Sequence, residues 1–333
     1  MKPTINQIAK KSGVSVSTVS RVLNGESGVS ESTKKQVLKV VEELNYVPLR
    51  RRRRPFSKKK TGVIALVVTD ISNPFFPEVV HGVEDLAFSL GYSVSLWNTR
   101  ENLEREKQYV ENLKTSEVDG IILGSSRLQE NQIEEIVEND IPCVVVNRII
   151  RGAASVFVDY REGAYRATKY LLHLGHERIA LINGPANAQP SLWREQGFWE
   201  AMGEAGKKTE KDLVSFNPPV VEGGYVATLK LLSAANPPTA IFAYNDLVAL
   251  GAMKAVREKN LVIPRDISII GYDDSFFCPY LDPPLSTVGQ PKYMMGKLAG
   301  DLLFRLINGG EIINKEISLK PELVIRASCG VRI

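Results

Sequence analysis

Apolar positions along the chain follow two periods, and the change between them falls near Thr61. Before that point they recur at three- and four-residue steps: Ile8 and Ala9, then Val14, Val19, Val22 and Leu23, then Val37, Leu38, Val41 and Leu44. Such spacing puts them on one face of successive helices. Gly13 separates the first two helices where a turn residue at positive φ is needed, and a third helix is predicted over Glu31–Asn45 with Lys34, Lys35 and Lys39 outside.

After Thr61 the pattern becomes one of short apolar runs. Residues 62–68 form a continuous, largely β-branched run of the kind buried on both faces of a parallel sheet. A helix follows over Pro77–Leu90. Strands at Ser93–Leu96, Gly120–Leu123 and Cys143–Val146 then alternate with helices at Glu101–Ser116 and Glu130–Asn139. A second alternating set comprises helices at Arg161–Leu174, Leu192–Ala205, Glu222–Ala234 and Leu247–Lys259, with strands at Ile179–Ile182, Ala240–Ala243 and Ile267–Ile270. The predicted fold class is an all-α helix-turn-helix head followed by α/β, with two doubly wound parallel-sheet lobes. The boundaries read 1–47 for the head, 48–60 for a basic hinge and 61–333 for the body. Within the body the first lobe takes 61–159 plus 289–321, the second 160–288 plus 322–333.

Composition adds a charge asymmetry. Residues 1–60 hold 15 Lys and Arg against four Glu, whereas the whole chain of 333 residues carries only +4. A basic head on an acidic body points to nucleic acid, bound with strong salt dependence through counterion release. No signal peptide and no apolar run long enough to span a membrane are visible, so a cytoplasmic address without membrane contact is expected. Cys143, Cys278 and Cys329 are widely spaced with neither CxxC pairs nor His partners, which predicts reduced packing residues and no metal site or cofactor.

The head has the form of a helix-turn-helix. Its second helix presents Ser15, Val16 and Ser17 in the first turn and Arg21 one turn later, where a recognition helix meets base edges. In the body, ligands of open parallel sheets bind beyond the carboxyl ends of the strands. The residues there are polar and aromatic: Asn73, Phe75 and Phe76 after the first strand, Asn147 and Arg148 after the fourth, Trp193 and Arg194 beyond Ile179–Ile182, then Asn245 and Asp273. Rings beside fixed amides, carboxylates and guanidinium groups suit a polyol. There is no Gly-rich phosphate loop after Val63–Val68 and no paired nucleophile and base, so the chain reads as a non-enzyme. Phe75 and Phe76 can equally pack in a core, Asn245 and Asp273 can cap helices, and His81, His173 and His176 receive no catalytic role.

The chain resembles the LacI/GalR family of bacterial transcription regulators along nearly its whole length. The resemblance rests on Thr18-Val19-Ser20-Arg21-Val22-Leu23-Asn24, Asn45-Tyr46-Val47-Pro48, Val118-Asp119-Gly120-Ile121-Ile122, Leu174-Gly175-His176-Glu177-Arg178-Ile179-Ala180, Pro238-Thr239-Ala240-Ile241-Phe242 and Ile270-Gly271-Tyr272-Asp273. It implies a body like a type I periplasmic sugar-binding protein and a homodimer, with two heads on a palindromic double-stranded operator. It assigns Thr4, Ser15, Val16, Ser17, Thr18, Ser20, Arg21 and Asn24 to DNA. It also implies that Asn73, Phe75, Phe76, Arg148, Arg194, Asn245, Asp273 and Gln290 contact a monosaccharide such as ribose. Asn147 departs from the pattern, since an Asp often precedes the Arg. The expected function is a repressor released by sugar, with crossovers near Asp159–Tyr160, Leu285–Gly289 and Lys320–Leu323. A purine- or sugar-phosphate-sensing regulator and a non-regulatory sugar-binding protein are the alternatives.

In such families the segment after Tyr46-Val47-Pro48 forms a short hinge helix with a Leu wedge. Here it reads Leu49, then Arg50, Arg51, Arg52, Arg53 and Arg54, then Pro55, Phe56, Ser57 and three lysines. Pro55 disfavours a helical Arg54, so any helix is expected to stop early, and Phe56 is a candidate substitute wedge. The five arginines either enter the minor groove or add only phosphate attraction. If they enter the groove, replacing Arg52 and Arg53 by Gln lowers affinity selectively for the operator. Equal loss on operator and random DNA, measured as salt-dependent binding isotherms, marks the phosphate-only case.

Overall fold

The computed structural model describes residues 5–23, 29–44, 60–115, 118–138, 141–207, 210–310 and 312–332. The sequence assignments on Thr4, Asn24, Arg50–Arg54 and Phe56 lie outside these residues. The chain divides into two units, Met1–Lys58 and Lys59–Ile333.

Among its described residues the first unit has three helices, α1 (Ile5–Ser12), α2 (Val16–Leu23) and α3 (Glu31–Glu43). Ile8, Ala9, Val19, Val22, Val37 and Val40 form its core, with Val14, Leu23, Val41 and Leu44 packed against them. One expectation is corrected: Leu38 is exposed and Val40 is buried instead. Val37, Val40, Val41 and Leu44 follow the i, i+3, i+4, i+7 face, and Leu38 lies about 100° off it. Gly13 bridges α1 and α2 at φ +66°. Ser12 Oγ bonds Ile8 O at 2.6 Å, and Gln36 Nε2 donates to Ser12 O at 3.1 Å, tying α3 to the end of α1.

The second unit alternates strand and helix: β1 (Val63–Val68), α4 (Phe75–Ser89), β2 (Ser93–Asn98), α5 (Leu103–Thr115), β3 (Gly120–Gly124), α6 (Glu130–Glu138), β4 (Cys143–Val146) and β5 (Ala154–Val158). Then come α7 (Tyr160–His173), β6 (Ile179–Asn183), α8 (Gln189–Glu204), β7 (Val214–Phe216), α9 (Val221–Leu232), β8 (Ala240–Ala243), α10 (Asp246–Glu258), β9 (Ser268–Asp273) and β10 (Ser286–Gly289). The last elements are α11 (Lys292–Ile307), β11 (Glu316–Leu319) and β12 (Glu322–Val324).

Two six-stranded sheets result, ordered β11-β5-β4-β3-β1-β2 and β12-β10-β9-β8-β6-β7. Every pairing is parallel except β10 with β12. Helices cover both faces, so the central strands are apolar throughout and buried along their length. The chain passes between the sheets three times, after β5, after β10 and between β11 and β12, so the lobes can move about these crossovers. Asp119 fixes the start of β1, its two carboxylate oxygens accepting from Thr61 N at 3.1 Å and Gly62 N at 3.0 Å. Among the described residues no helix is long and apolar enough to cross a membrane.

The second lobe is closed at its base by His176. Its Nδ1 lies 3.0 Å from Thr239 Oγ1, and its Nε2 lies 2.9 Å from Ser268 Oγ and 3.1 Å from Gly330 O. A carbonyl only accepts, so Nε2 carries the proton and Nδ1 accepts from the threonine. Burial lowers the imidazole pKa below 6.5. The unfolded chain therefore takes up a proton that the folded chain refuses, and stability is lost as pH falls through 6.5. Thermal unfolding between pH 5 and pH 8 should be flatter in His176→Ala on this account. At pH 8 that variant should be less stable by about 1–3 kcal/mol, the cost of leaving buried partners unpaired.

Candidate functional site

The DNA-reading candidate is the start of α2. Ser15 caps the helix, its Oγ accepting from Thr18 N at 3.1 Å and lying 2.7 Å from Ser17 Oγ and 2.8 Å from Thr18 Oγ1. Such a cap stabilises a helix by about 1 kcal/mol. Ser15, Val16, Ser17 and Arg21 are exposed and Thr18 is half-buried. Only the backbone of Ser20 is described. This surface combines small side chains in the first turn, which permit close approach to base edges, with a cation one turn on.

In the body, the ends of the strands from both lobes line a cleft. The first lobe contributes Thr69, Asn73, Phe75, Phe76, Glu101, Ser125, Arg127 and Asn147. The second contributes Tyr160, Pro190, Arg194, Pro219, Tyr244, Asn245 and Asp273, with Gln290 at a crossover. Phe75 and Phe76 meet edge to face at 5.1 Å and belong to the core as well as to the cleft wall. Asn73 Oδ1 accepts from Phe75 N at 3.0 Å and so fixes the start of α4.

Arg194 is the centre of the second-lobe wall. It is 2% exposed, and its guanidinium carbon lies 4.4, 4.2 and 4.0 Å from the ring centres of Tyr160, Tyr244 and Tyr272. Arginine keeps its charge at any ordinary pH, and here the ring faces supply the compensating negative potential. Gly184 makes room for the cage: a Cβ there would stand 2.6 Å from the Tyr244 ring. One terminal nitrogen donates to Pro190 O at 3.2 Å, while Nε has no partner.

Asp273 ends β9 with φ +111°, outside the range a non-glycine residue ordinarily adopts. Lys292 Nζ holds the strained turn by donating to the carbonyls of Asp273 at 2.7 Å and Asp274 at 2.8 Å. The Asp273 carboxylate accepts from Gln290 Nε2 at 2.5 Å. Burial, and then the neighbouring Asp246 carboxylate, push its pKa up to about 7. Asp246 itself is tied to Ser275 N at 2.7 Å and Thr287 Oγ1 at 2.6 Å. Glu101, Ser125 and Asn147, on the opposite wall, also have positive φ, near 55°, 55° and 65°. Each such residue stores about 1–3 kcal/mol of strain, and clusters of them mark binding sites.

The hydrogen-bond inventory defines what the cleft accepts. Asn147 donates to Ser125 Oγ at 2.9 Å, but its Oδ1 has no partner. Gln290 Oε1, Thr69 Oγ1 and Arg194 Nε are likewise buried and unpaired. Arg127 is already neutralised by Glu101 through bonds of 2.8 and 3.1 Å. Its backbone N donates to Glu106, a buried carboxyl whose pKa burial raises. Acceptors thus outnumber free donors. These atoms can meet O–H or N–H groups, and no cluster of His, Cys, Asp or Glu among the described residues could hold a metal.

Of the sequence-derived cleft set, Asn73, Phe75, Phe76, Asn147, Arg194, Asn245, Asp273 and Gln290 line this cavity. Asn245 is also the cap of α10, accepting from Val248 N at 2.8 Å and donating to Pro219 O at 3.0 Å. Two residues are placed elsewhere. Arg148 donates to the carbonyls of Ser126 at 3.0 Å and Leu128 at 2.5 Å, fastening the loop after β3. Trp193 packs on Phe157 and Tyr160, because one residue along α8 turns it about 100° from Arg194. Glu101, Arg127, Tyr160 and Tyr244 were not singled out from sequence. The sequence pattern predicts a helix from Glu101, yet α5 starts at Leu103 and leaves Glu101 in the polar loop after β2.

Residues 4–48 match the bacterial regulatory protein lacI family, and residues 168–329 match the periplasmic binding protein-like domain. The chain is 38% identical to the HTH-type transcriptional repressor PurR of Pasteurella multocida (strain Pm70), across 99% of both proteins. A LacI family transcriptional regulator from Enterococcus faecium, crystallised with bound ribose, superimposes with a TM-score of 0.73 at 31% identity. That match covers 81% of this chain and 100% of the other. The lac repressor dimer bound to operator and the anti-inducer ONPF gives 0.73 at 27% identity, covering 98% and 99%. With a helix-turn-helix head, two parallel-sheet lobes and relatives matched from end to end, the chain belongs to the LacI family of DNA-binding transcription regulators and is not an enzyme.

Proposed function

We propose that this regulator is a cytoplasmic homodimeric repressor whose hold on a palindromic operator is released by a neutral monosaccharide of the ribose type. The observation that carries the reading is the set of unpaired buried atoms on the cleft wall: Asn147 Oδ1, Gln290 Oε1, Thr69 Oγ1 and Arg194 Nε. Sugar hydroxyls both donate and accept, and can satisfy all four. Phe75 and Phe76 on the same wall are apolar rings against which the C–H side of a sugar can pack. A phosphate would face Asp273 and Glu101, and the Arg127 guanidinium is already paired with Glu101, which disfavours sugar phosphates. The ribose bound to the Enterococcus faecium regulator agrees with this chemistry. Phe88 on α4, Leu90 at its end and Leu96 on edge strand β2 are exposed apolar side chains of the first lobe that a second copy would cover. A second reading, a purine effector, draws on the identity to PurR and on ring N–H groups that would also meet unpaired acceptors.

A thermal-shift panel of D-ribose, other pentoses, hexoses, sugar phosphates and purine bases tests the effector class. At one hundred times its dissociation constant a bound sugar stabilises the native state by about 2.7 kcal/mol. D-ribose or a close relative should raise the melting temperature and release operator DNA in a gel-shift titration. A response to purine bases alone favours the second reading, and operator binding strengthened by the sugar reverses the proposed sign.

Effector affinity should also depend on pH. With the empty-site pKa of Asp273 near 7, a ligand that donates hydroxyl protons to its carboxylate binds the ionised form. Affinity is then full above pH 7 and declines as pH falls below it. Calorimetric titration from pH 6 to pH 8 should reveal this slope, and Asp273→Asn should bind more weakly with the slope gone. A slope that persists in the variant assigns the proton to another group.

A further inference from the structure

We infer that Gln189 is a closure latch, a positioning residue that holds the two lobes together beside the cleft without contacting the molecule bound there. Ile149 lies between β4 and β5 in the first lobe, whereas Gln189 opens α8 in the second. The backbone N of Ile149 donates to Gln189 Oε1 at 2.8 Å, and Gln189 Nε2 donates back to Ile149 O at 3.0 Å. One carboxamide thus reproduces the two-bond exchange by which a residue pair joins antiparallel strands. Both ends of the amide are engaged by a single residue of the opposite lobe, so a relative displacement of the lobes here breaks both bonds together.

The position makes the latch consequential. Ile149 is two residues past Asn147, and Gln189 precedes Pro190 and Arg194 on the same helix; Asn147, Pro190 and Arg194 line the cleft while Gln189 and Ile149 do not. The same end of α8 is seated on the first lobe a second time, by Trp193 against Phe157 of β5 at 5.7 Å. The aromatic contact is adjacent to the β5 crossover, and the polar pair extends the grip to the β4 loop. Water can replace both latch bonds when the lobes part, so their net contribution is modest and a ligand that spans the cleft adds to it. By this route Gln189 sets the fraction of empty protein already closed, and apparent effector affinity scales with that fraction.

The latch can be tested without knowing the effector. Cysteines introduced at exposed Gln108 on α5 and Lys230 on α9, in a Cys329→Ala background, carry spin labels on the full chain diluted with unlabelled protein. Double electron–electron resonance without any sugar should give longer interlobe distances in Gln189→Ala than in the parent. Gln189→Glu, which keeps the acceptor for Ile149 N but lacks the donor, should fall between. Coincident distance distributions in parent and Gln189→Ala, with unchanged melting temperatures, overturn the latch. The linked effect on affinity rests on the sugar reading: D-ribose should bind Gln189→Ala about tenfold more weakly, as expected for two lost hydrogen bonds, and reach the parent's closed distance at saturation. Failure of D-ribose to bind the parent counts against the sugar reading, and the sugar-free distances still decide the latch.

Discussion

A guanidinium that cannot lose its proton is buried in this protein without a carboxylate partner among the described residues, and much of the second lobe is arranged around that constraint. Arg194 needs three ring faces, and each comes from a different part of the chain: Tyr160 at the start of α7, Tyr244 after β8, Tyr272 within β9. The cage therefore ties the first crossover, the cap of α10 and the strand that ends in Asp273 to one side chain of α8. Its cost is desolvation of a full positive charge, which ring quadrupoles offset only in part. The nearby Asp273 carboxylate adds negative potential, and its own ionisation is favoured by Arg194 in return. Charge balance in the cleft is consequently shared between two groups that both line it.

Much of the fold is written in local pattern. The runs Val63–Val68 and Cys143–Val146 read as buried strands, and the three-to-four spacing of the head identifies its helices, the third ending at Glu43 where Asn45 is predicted. The elements that periodicity passes over have mixed signals. Strand β5 places Ser155 between Ala154 and Val156, and α11 carries Gly296 and Gly300 in its interior. Their places are decided by sheet pairing and by packing of α11 on α4, neither of which a single sequence displays.

The site was legible where a strand end is followed at once by unusual polarity, as at Asn147, Asn245 and Asp273. It was less so where the useful atom depends on rotation. Arg148 and Trp193 have suitable chemistry, yet one is consumed by loop carbonyls and the other points into an aromatic stack. Conversely, Arg127 and Tyr244 lie just beyond β3 and β8, so the strand-end rule covers them as well. What no pattern gives is the backbone strain at Glu101, Ser125, Asn147 and Asp273, since positive φ at non-glycine residues is imposed by the assembled lobes.

The division of labour on the cleft wall bears on how such a sensor changes its signal. Asn245 spends its whole carboxamide on the cap of α10 and on Pro219 O. Arg194 and Asp273 are bound up with the tyrosine cage and the Lys292 clamp. Substitution at any of these disturbs the second lobe before it alters recognition. On the first lobe, Thr69 Oγ1 and Asn147 Oδ1 carry no structural bond. Descendants of this gene can diverge toward new metabolites through those two positions while inheriting the second lobe intact, so ligand preference should drift along one wall and stay constrained on the other.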